Sequence, residues 1–578
     1  MAKSLSNASK PATTDTEESD ALEWAKKRFE ASWQYSQTQH KRWERNWKLY
    51  NNQRTDESYI GISDTFVPMV YSTVETLTSA LSSGRPSTEF MPQDIWQYIE
   101  VYAMTGTKPD LKALNSLYDY YWDCDNWDIK TIKSIRSGFN NGLMAEYIYW
   151  DIDKPRIINL PVRDLIIDPH LIDPMQLITT PEDYYGGRRF HSSKKALEAV
   201  EIVDPETQQT IKRYKDLDKV KPLSGSTGND DTDKKNKEML LGATRQDDPE
   251  LVEVIEIYSG DRQVTIVNQT IVIEDRENIF KTQSRLLGDE NPKGIIPIAL
   301  GRFVVDESLI HGKSIIDPIA KPQELLNDMT NQSVDAVTDA LNPQKELDPM
   351  YASWLPKITN AFGAVYPFKP GSLQPIRKDT IPANAFAERL NIKNEIREAT
   401  GADQIVKGVT AEQDQTATEV KAQLNQAGQR FEIYVRMLER ELLYQRAKIV
   451  YGMIRRFVTA PKSVPTVTPD GPKFYTFDPS QFGPDYEPSV KLEASVKNAR
   501  QREQIQATQA YQLLIADPTN DLYQVKKILL PKIVDLSEEE LDRIIGAQPP
   551  EGQTGMTPEV EPVAQEDMFT EPVMEPVV

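Results

Sequence analysis

HGKSIIDPIAKPQELLNDMTNQSVDAVTDA occupies residues 311–340, and its reading decides the rest. Asp317 can cap a helix with Pro318 at the first position, and the pattern runs to Leu341, where Asn342-Pro343 ends it. Pro322 kinks the opening turns or delays the start. Just before lies Gly312-Lys313-Ser314, the ending of a phosphate-binding P-loop. That loop needs a further glycine five residues earlier so that the backbone can wrap phosphate, and the position holds Glu307, whose charge repels phosphate. A nucleotide site is therefore not expected.

Downstream, about forty residues punctuated by Pro and Gly lead to a second helical pattern, Pro382–Thr400, closed by Gly401. A polar loop follows, and then Thr416-Ala417-Thr418-Glu419 forms a capping box, with Thr416 as N-cap and Glu419 three positions on. An apolar stripe from Leu424 to Phe457 continues with one phase adjustment around Leu443–Lys448. Unbroken over 416–458, that helix would be about 65 Å long and would need support from more than one domain or subunit. Pro461 ends it. Strand-like text at Lys473–Phe477 and Ser489–Ala494 follows, then helices near Lys497–Ile515 and Leu522–Leu530, and a second capping box at Ser537.

Upstream, Phe29, Trp33, Trp43, Trp47 and Tyr50 sit at helical spacings, and a second helix carries Val70, Val74, Leu77 and Leu81. Core packing is the plain reading of such stripes. A third helix lies near Leu111–Trp122. Glu146–Ile152 and Arg156–Leu160 read as a hairpin, and Leu251–Tyr258, Gln263–Val267 and Thr270–Ile273 as a second strand block. Lys221–Glu250 between them reads as a surface loop.

The 578 residues carry 67 basic and 88 acidic side chains, a formal charge of −21, with 39 prolines and a mean hydropathy of −0.55. Two to four domains fit that length. No apolar run approaches the roughly 18–20 residues of a membrane span, and residues 1–20 are small, polar and acidic, which predicts a disordered arm without signal-peptide character. Cys124 is the single cysteine, and His40, His170, His191 and His311 never reach metal-ligand spacing. The tail after Pro550 has seven acids and no base, one third of the net charge, and reads as disordered. The acidity argues against tight sequence-independent nucleic-acid binding but not against a surface that nucleic acid slides past. No catalytic motif appears, so neither an enzyme nor a cofactor is expected.

The order of these elements resembles the portal proteins of tailed bacteriophages. Pro297, His311-Gly312-Lys313-Ser314, Asp317, Gln323, Asn327 and Asn331 match that family's run into its stem. Ala399-Thr400-Gly401-Ala402-Asp403, Gly408, Thr416–Val420 and Arg430 match the passage from the returning stem helix to the long helix above it. Trp47–Tyr50, Val67-Pro68 and Asp164–Pro169 are weaker echoes. The likeness spans about residues 40–545. It implies an α+β, mainly helical portal-like fold of wing, stem, clip and crown, assembled as a cyclic ring. By the resemblance, the wing takes 21–317 and 461–496, the stem helices 318–342 and 381–401, and the clip 343–380. The tunnel loop would be 402–415, with Asp403, Lys407, Glu412 and Asp414. The long helix would take 416–460, the crown 497–547 and the acidic tail 548–578.

The implied role is a non-enzymatic conduit for double-stranded DNA at one capsid vertex, during packaging and ejection. The implied setting is the virion, after synthesis in the host cytoplasm. The implied partners are further copies in a ring of about a dozen, the major capsid protein, the terminase large subunit and head–tail adaptor or tail proteins, with no membrane. The alternatives are another non-enzymatic virion protein, such as an adaptor or minor capsid protein, or a nucleotide-dependent motor, which the Glu307 mismatch disfavours.

Within the first stem helix Glu324, Asp328, Asp335 and Asp339 fall at i, i+4, i+11 and i+15, one narrow arc at about 100° per residue that Asn331 continues. Cyclic symmetry would turn that arc into a belt lining the channel, where it would keep DNA from sticking. Its plain alternative is a solvated helix face. Lys407 is the tunnel-loop cation able to touch phosphate, or an ordinary exposed lysine.

Overall fold

The computed structural model describes residues 14–55, 61–92, 99, 101–103, 110–203, 209–220, 251–281, 294–341, 345–350, 353, 369, 371–375, 383–401, 430–468, 471–482 and 486–492. The chain forms two units, Met1–Ser495 and Val496–Val578, and all described residues belong to the first. The expected crown and acidic tail therefore lie outside the described residues.

Helix α1 (Thr14–Tyr50) begins inside the stretch read as a disordered arm. α2 (Met69–Leu81), β1 (Ser87–Met91) and α3 (Leu111–Cys124) follow. α4 (Trp127–Asn141) is a helix the sequence reading did not anticipate. It buries Trp127, Thr131, Ser134, Ile135, Gly138 and Phe139, a helical stripe masked by small and polar members. The expected hairpin is present as β2 (Met144–Asp151) and β3 (Lys154–Asn159), and β11 (Ile298–Gly301) adds to β2.

The five-stranded antiparallel sheet has the order β10-β9-β8-β5-β4. It is built from β4 (Leu165–Ile167), β5 (Tyr185–Ser193), β8 (Leu251–Ser259), β9 (Arg262–Val267) and β10 (Ile271–Glu277). Between β5 and β8 lies the ribbon β6 (Glu201–Val203) and β7 (Thr210–Lys212). Strand alternation gives β8 two faces. Ile255 and Ile257 pack with Val264 and Ile266 against Ala21, Ala25 and Phe29 of α1. Val252 and Val254 pack on the other side with Leu197, Tyr214 and Leu217. On that second side Glu256 is fully buried between Arg188 (2.6 Å) and Arg213 (2.9 Å). Burial alone would raise its carboxyl, but the two guanidinium charges and hydrogen bonds from Arg188 and Tyr214 outweigh that and hold it at about 2. A cavity of about 490 Å³ lies over this network, between aromatic walls that include Tyr149, Trp150, Phe190 and Phe457.

After β11 come α5 (Ala320–Leu341), the short ribbon β12 (Lys345–Leu347) with β13 (Leu373–Pro375), and α6 (Ala383–Thr400). α5 starts later than Asp317, with Pro322 in its first turn, where a missing N–H costs nothing. Helix α7 is described over 430–457. Leu438–Leu443 within it is π-helical, and Tyr444–Phe457 is α-helical. The phase adjustment in the apolar stripe thus has a cause: a π segment adds a residue to one turn. β14 (Lys462–Thr468) and β15 (Gly471–Phe477) form a hairpin, and β16 (Glu487–Lys491) returns to pair with β1.

Below the π segment, Arg446 is fully buried against fully buried Glu146 of β2, with contacts of 2.6 and 2.8 Å. Ser134 donates to the same carboxylate (2.5 Å), Arg446 donates to Thr131 (2.8 Å), and the guanidinium lies 5.3 Å from the Trp122 ring centre. Every charge in this joint between α7, α4 and β2 has a partner. Removing one member strands the other, so Arg446→Met should destabilise the protein by roughly 3–5 kcal/mol, and Arg446→Met with Glu146→Leu by less. Urea unfolding of the two variants checks this, and equal losses would refute the joint as drawn.

Candidate functional site

The last turn of α4 leaves carbonyls without helical partners, as every helix end does. Here Phe139, Asn140 and Asn141 are each served by a side chain from another part of the molecule. Ser314 Oγ donates to Phe139 O (2.6 Å), Asn46 Nδ2 to Asn140 O (3.0 Å), and both Arg42 (3.2 Å) and Trp43 Nε1 (3.1 Å) to Asn141 O. Gly142 ends the helix at φ +86°, and Gly312 crosses it at φ +58°. A Cβ on Gly312 would lie 2.7 Å from the carbonyl oxygen of Gly142, so the two strands of backbone approach as only glycines allow.

Asp317 locks the same point. Its Oδ1 accepts from Arg45 (2.8 Å) and Asn46 (3.1 Å), and its Oδ2 from the Ser314 amide (2.9 Å). The carboxylate read as the N-cap of the next helix is instead spent on α1 and on the turn before α5. Lys313 reaches Asp306 at 3.4 Å. Gly312-Lys313-Ser314 is therefore a helix-capping turn, and the serine that a P-loop would give to a metal is given to a carbonyl. His311 is buried between Tyr35 and Trp43, with ring centres 5.1 and 5.2 Å away. Burial, reinforced by Arg42 and His40, pushes its imidazole down to about 3.

From this root α5 carries a second set of contacts. Residues 61–67 run along it, and every fourth helix residue meets every second residue of that strap. Val67 N–H donates to Asn327 Oδ1 (3.0 Å), while Gln323 Nε2 donates to Val67 O (2.7 Å). Thr65 N–H donates to Asn331 Oδ1 (2.7 Å), and Asn331 Nδ2 donates back to Thr65 O (3.1 Å). The amides of Ser63 (2.9 Å) and Ile62 (3.1 Å) donate to the two oxygens of Asp335. Four helical residues rise about 6.0 Å and two extended residues about 6.6 Å, so the rungs stay in register. Thr55 donates to Glu324 beside the first rung.

This geometry corrects the reading of the acidic arc. Asn331 is fully buried under the strap and does not continue a solvent stripe. Glu324 and Asp335 are half-buried acceptors for Thr55 and for residues 62–63. Asp328 and Asp339 are also half-buried, and helical periodicity sets them about 40–60° round the helix from Glu324. Asp403, Lys407, Glu412 and Asp414, and the cap formed by Thr416 and Glu419, lie outside the described residues. The root residues Arg42 and Asn46 were not singled out from sequence, although their i, i+4 spacing puts them on one face of α1.

The model of a family described as the phage SU10 portal protein matches residues 149–538, two thirds of the chain. The chain belongs to this portal family. No curated protein matches it. Among solved structures, the neck of an empty GTA particle computed with C6 symmetry is similar over 87% of this chain and 94% of that one, at 10% identity and a TM-score of 0.33.

Portal membership makes the chain a phage-particle component of a structural, non-enzymatic family. The matched region takes in Ser314, Asp317 and the rungs on α5, while the portal chain's partners to them, Arg42, Asn46 and residues 61–67, precede it. Among the described residues no helix is long and apolar enough to cross a membrane.

The buried imidazole gives the portal root a pH dependence whose sign follows from proton counting. Between about pH 6.5 and 3 the unfolded chain binds a proton at His311 that the folded chain refuses, so stability falls as pH drops through that window, with a limit of ~1.4 kcal/mol per pH unit. Carboxylates such as Glu256 add their own loss only below about pH 4.5. Urea midpoints at about pH 7 and about pH 5 should therefore differ in the native protein and differ less in His311→Phe. A native midpoint that does not move would contradict a neutral buried imidazole.

Proposed function

We propose that this chain is the subunit of a ring through which double-stranded DNA is packaged and ejected at one capsid vertex. Family membership over residues 149–538 carries that reading. The paired helices α5 and α6, separated by the ribbon β12–β13, support it in detail. In this reading α5 and α6 are the stem, residues 343–380 the clip, 402–415 the tunnel loop, α7 the long helix towards a crown at 497–547, and the remaining α+β part the wing. Copies would assemble as a dodecamer. The major capsid protein, the terminase large subunit and head–tail adaptor or tail proteins would dock on it, and ATP turnover would belong to the terminase.

The channel-facing part of the arc on α5 would then be carried by Asp328 and Asp339. Glu324, Asn331 and Asp335 would serve the strap, and Lys407 with Asp403, Glu412 and Asp414 would make the sliding contact of the tunnel loop. Acid repeated around the axis would repel phosphate and keep DNA central.

Purified full-length protein imaged by negative stain, with native mass in parallel, should give a closed ring of about twelve copies with a central hole. A monomer at all concentrations, or an open filament, would count against the reading. Asp328→Asn with Asp339→Asn should raise the low-salt affinity of the ring for duplex DNA, and an unchanged affinity would remove these two residues from the channel wall.

A further inference from the structure

The strap and the root both fasten α5, and they differ in kind. The root is closed over: Asn46, His311 and Ser314 are all at most 2% exposed. The strap is held mainly through its backbone, by the six bonds from residues 62, 63, 65 and 67 described above. Its side chains add little. Ile62 is 93% exposed, the Asp64 carboxylate is an exposed partner of Arg54 (2.8 Å), and only Phe66 and Val67 rest, half-buried, on the core. An element with few buried apolar contacts opens locally at a fraction of the cost of global unfolding.

The burial of α5 depends on the same contact. Its five buried residues are Ala320, Gln323, Leu326, Asn327 and Asn331, and three of these are the amides that bind residues 65 and 67. Without the strap, the apolar hold on α5 is Ala320, Leu326 and the partly buried Met329, together with its packing on α6. Beyond Asn331 the apolar side chains Val334, Val337 and Leu341 are 39%, 49% and 75% exposed, so these three add little hold on the far end within one chain. Residues 315–319 belong to the closed root, with Ile316 and Ile319 fully buried, so the held end of α5 is its first turns.

We infer that residues 61–67 are a latch: they detach from the Gln323–Asn327–Asn331–Asp335 face as a unit while the root stays closed, and detachment lets the far half of α5 pivot about its held first turns. The inference stands on the geometry of one chain and does not rest on the channel reading.

Hydrogen exchange on the full-length protein reads the latch, and spin-label distances read the pivot. In the native chain the amides of 62, 63, 65 and 67 should exchange at least ~10-fold faster than those of β8 and α4, by an opening insensitive to low urea. In Asn327→Ala with Asn331→Ala, exchange over 61–67 should rise ~10-fold further while β8 and α4 stay unchanged. With Cys124→Ser and labels at Val337→Cys and Ile172→Cys, diluted with unlabelled chain, the distance distribution should be narrow in the native background and broaden in the double variant. If the double variant does not fold, Asn331→Asp, which keeps the acceptor for Thr65 N–H and loses the donor to Thr65 O, replaces it. The latch is overturned if residues 61–67 exchange as slowly as β8, or if the variant raises exchange in β8 and α4 equally. An unchanged distance distribution in a variant whose strap exchange has risen overturns the pivot.

Discussion

Three carbonyls at the end of α4 constrain how α1, α4 and α5 meet. They cannot be buried without donors, and the chain supplies those donors from α1 and from the turn before α5. That one requirement brings together segments almost three hundred residues apart in sequence. It fixes where α5 begins, because Ser314 must reach Phe139 and Asp317 must reach Arg45 and Asn46 before the helix can start. It also fixes α1 as a long brace: its first half packs on the five-stranded sheet, and its second half delivers Arg42, Trp43 and Asn46 to the cap.

A second device recurs. A side-chain amide presents a C=O and an N–H₂ in the geometry of a peptide unit, so it can stand in for a neighbouring strand. Asn331 does this for Thr65, and Gln445 of α7 does it for Leu300 of β11, donating to its carbonyl (2.8 Å) and accepting from its amide (3.1 Å). Nearby carboxylates supply the acceptor half alone: Glu441 takes the Arg302 amide (2.7 Å), and Glu439 takes the Leu492 amide (2.6 Å). Helices thereby cover exposed strand edges and loops that would otherwise need another strand.

The sequence carried the periodic elements well. The two strand blocks, the helices α2, α3, α5 and α6, and the end of α7 lie close to where apolar spacing and turn residues put them. It carried less where one pattern serves two environments. A run of amide and acid at every fourth position looks the same whether it faces water or the backbone of residues 61–67, because both reward polar side chains. Ser314 was visible in a failed P-loop and in the family run but not as a cap, since capping by a residue 175 positions away leaves no local spacing. The pairing of β1 with β16 and the identity of α4 were hidden for related reasons: the first is long-range, and the second buries Gly138, Thr131 and Ser134 where a helical stripe is expected to be apolar.

The π segment at Leu438–Leu443 separates two jobs on one helix. Above Tyr444, Glu439 and Glu441 face the ends of β16 and β11; below it, Arg446 enters the joint with Glu146. One residue on an α-helix is about 100° of rotation, so the extra residue acts as a coupling that turns the lower shaft relative to the upper one. Deleting a single residue there would leave a more regular helix whose lower part points its arginine at the wrong neighbour. Local regularity and correct assembly are thus opposed at this point, and the sequence has kept the irregular turn.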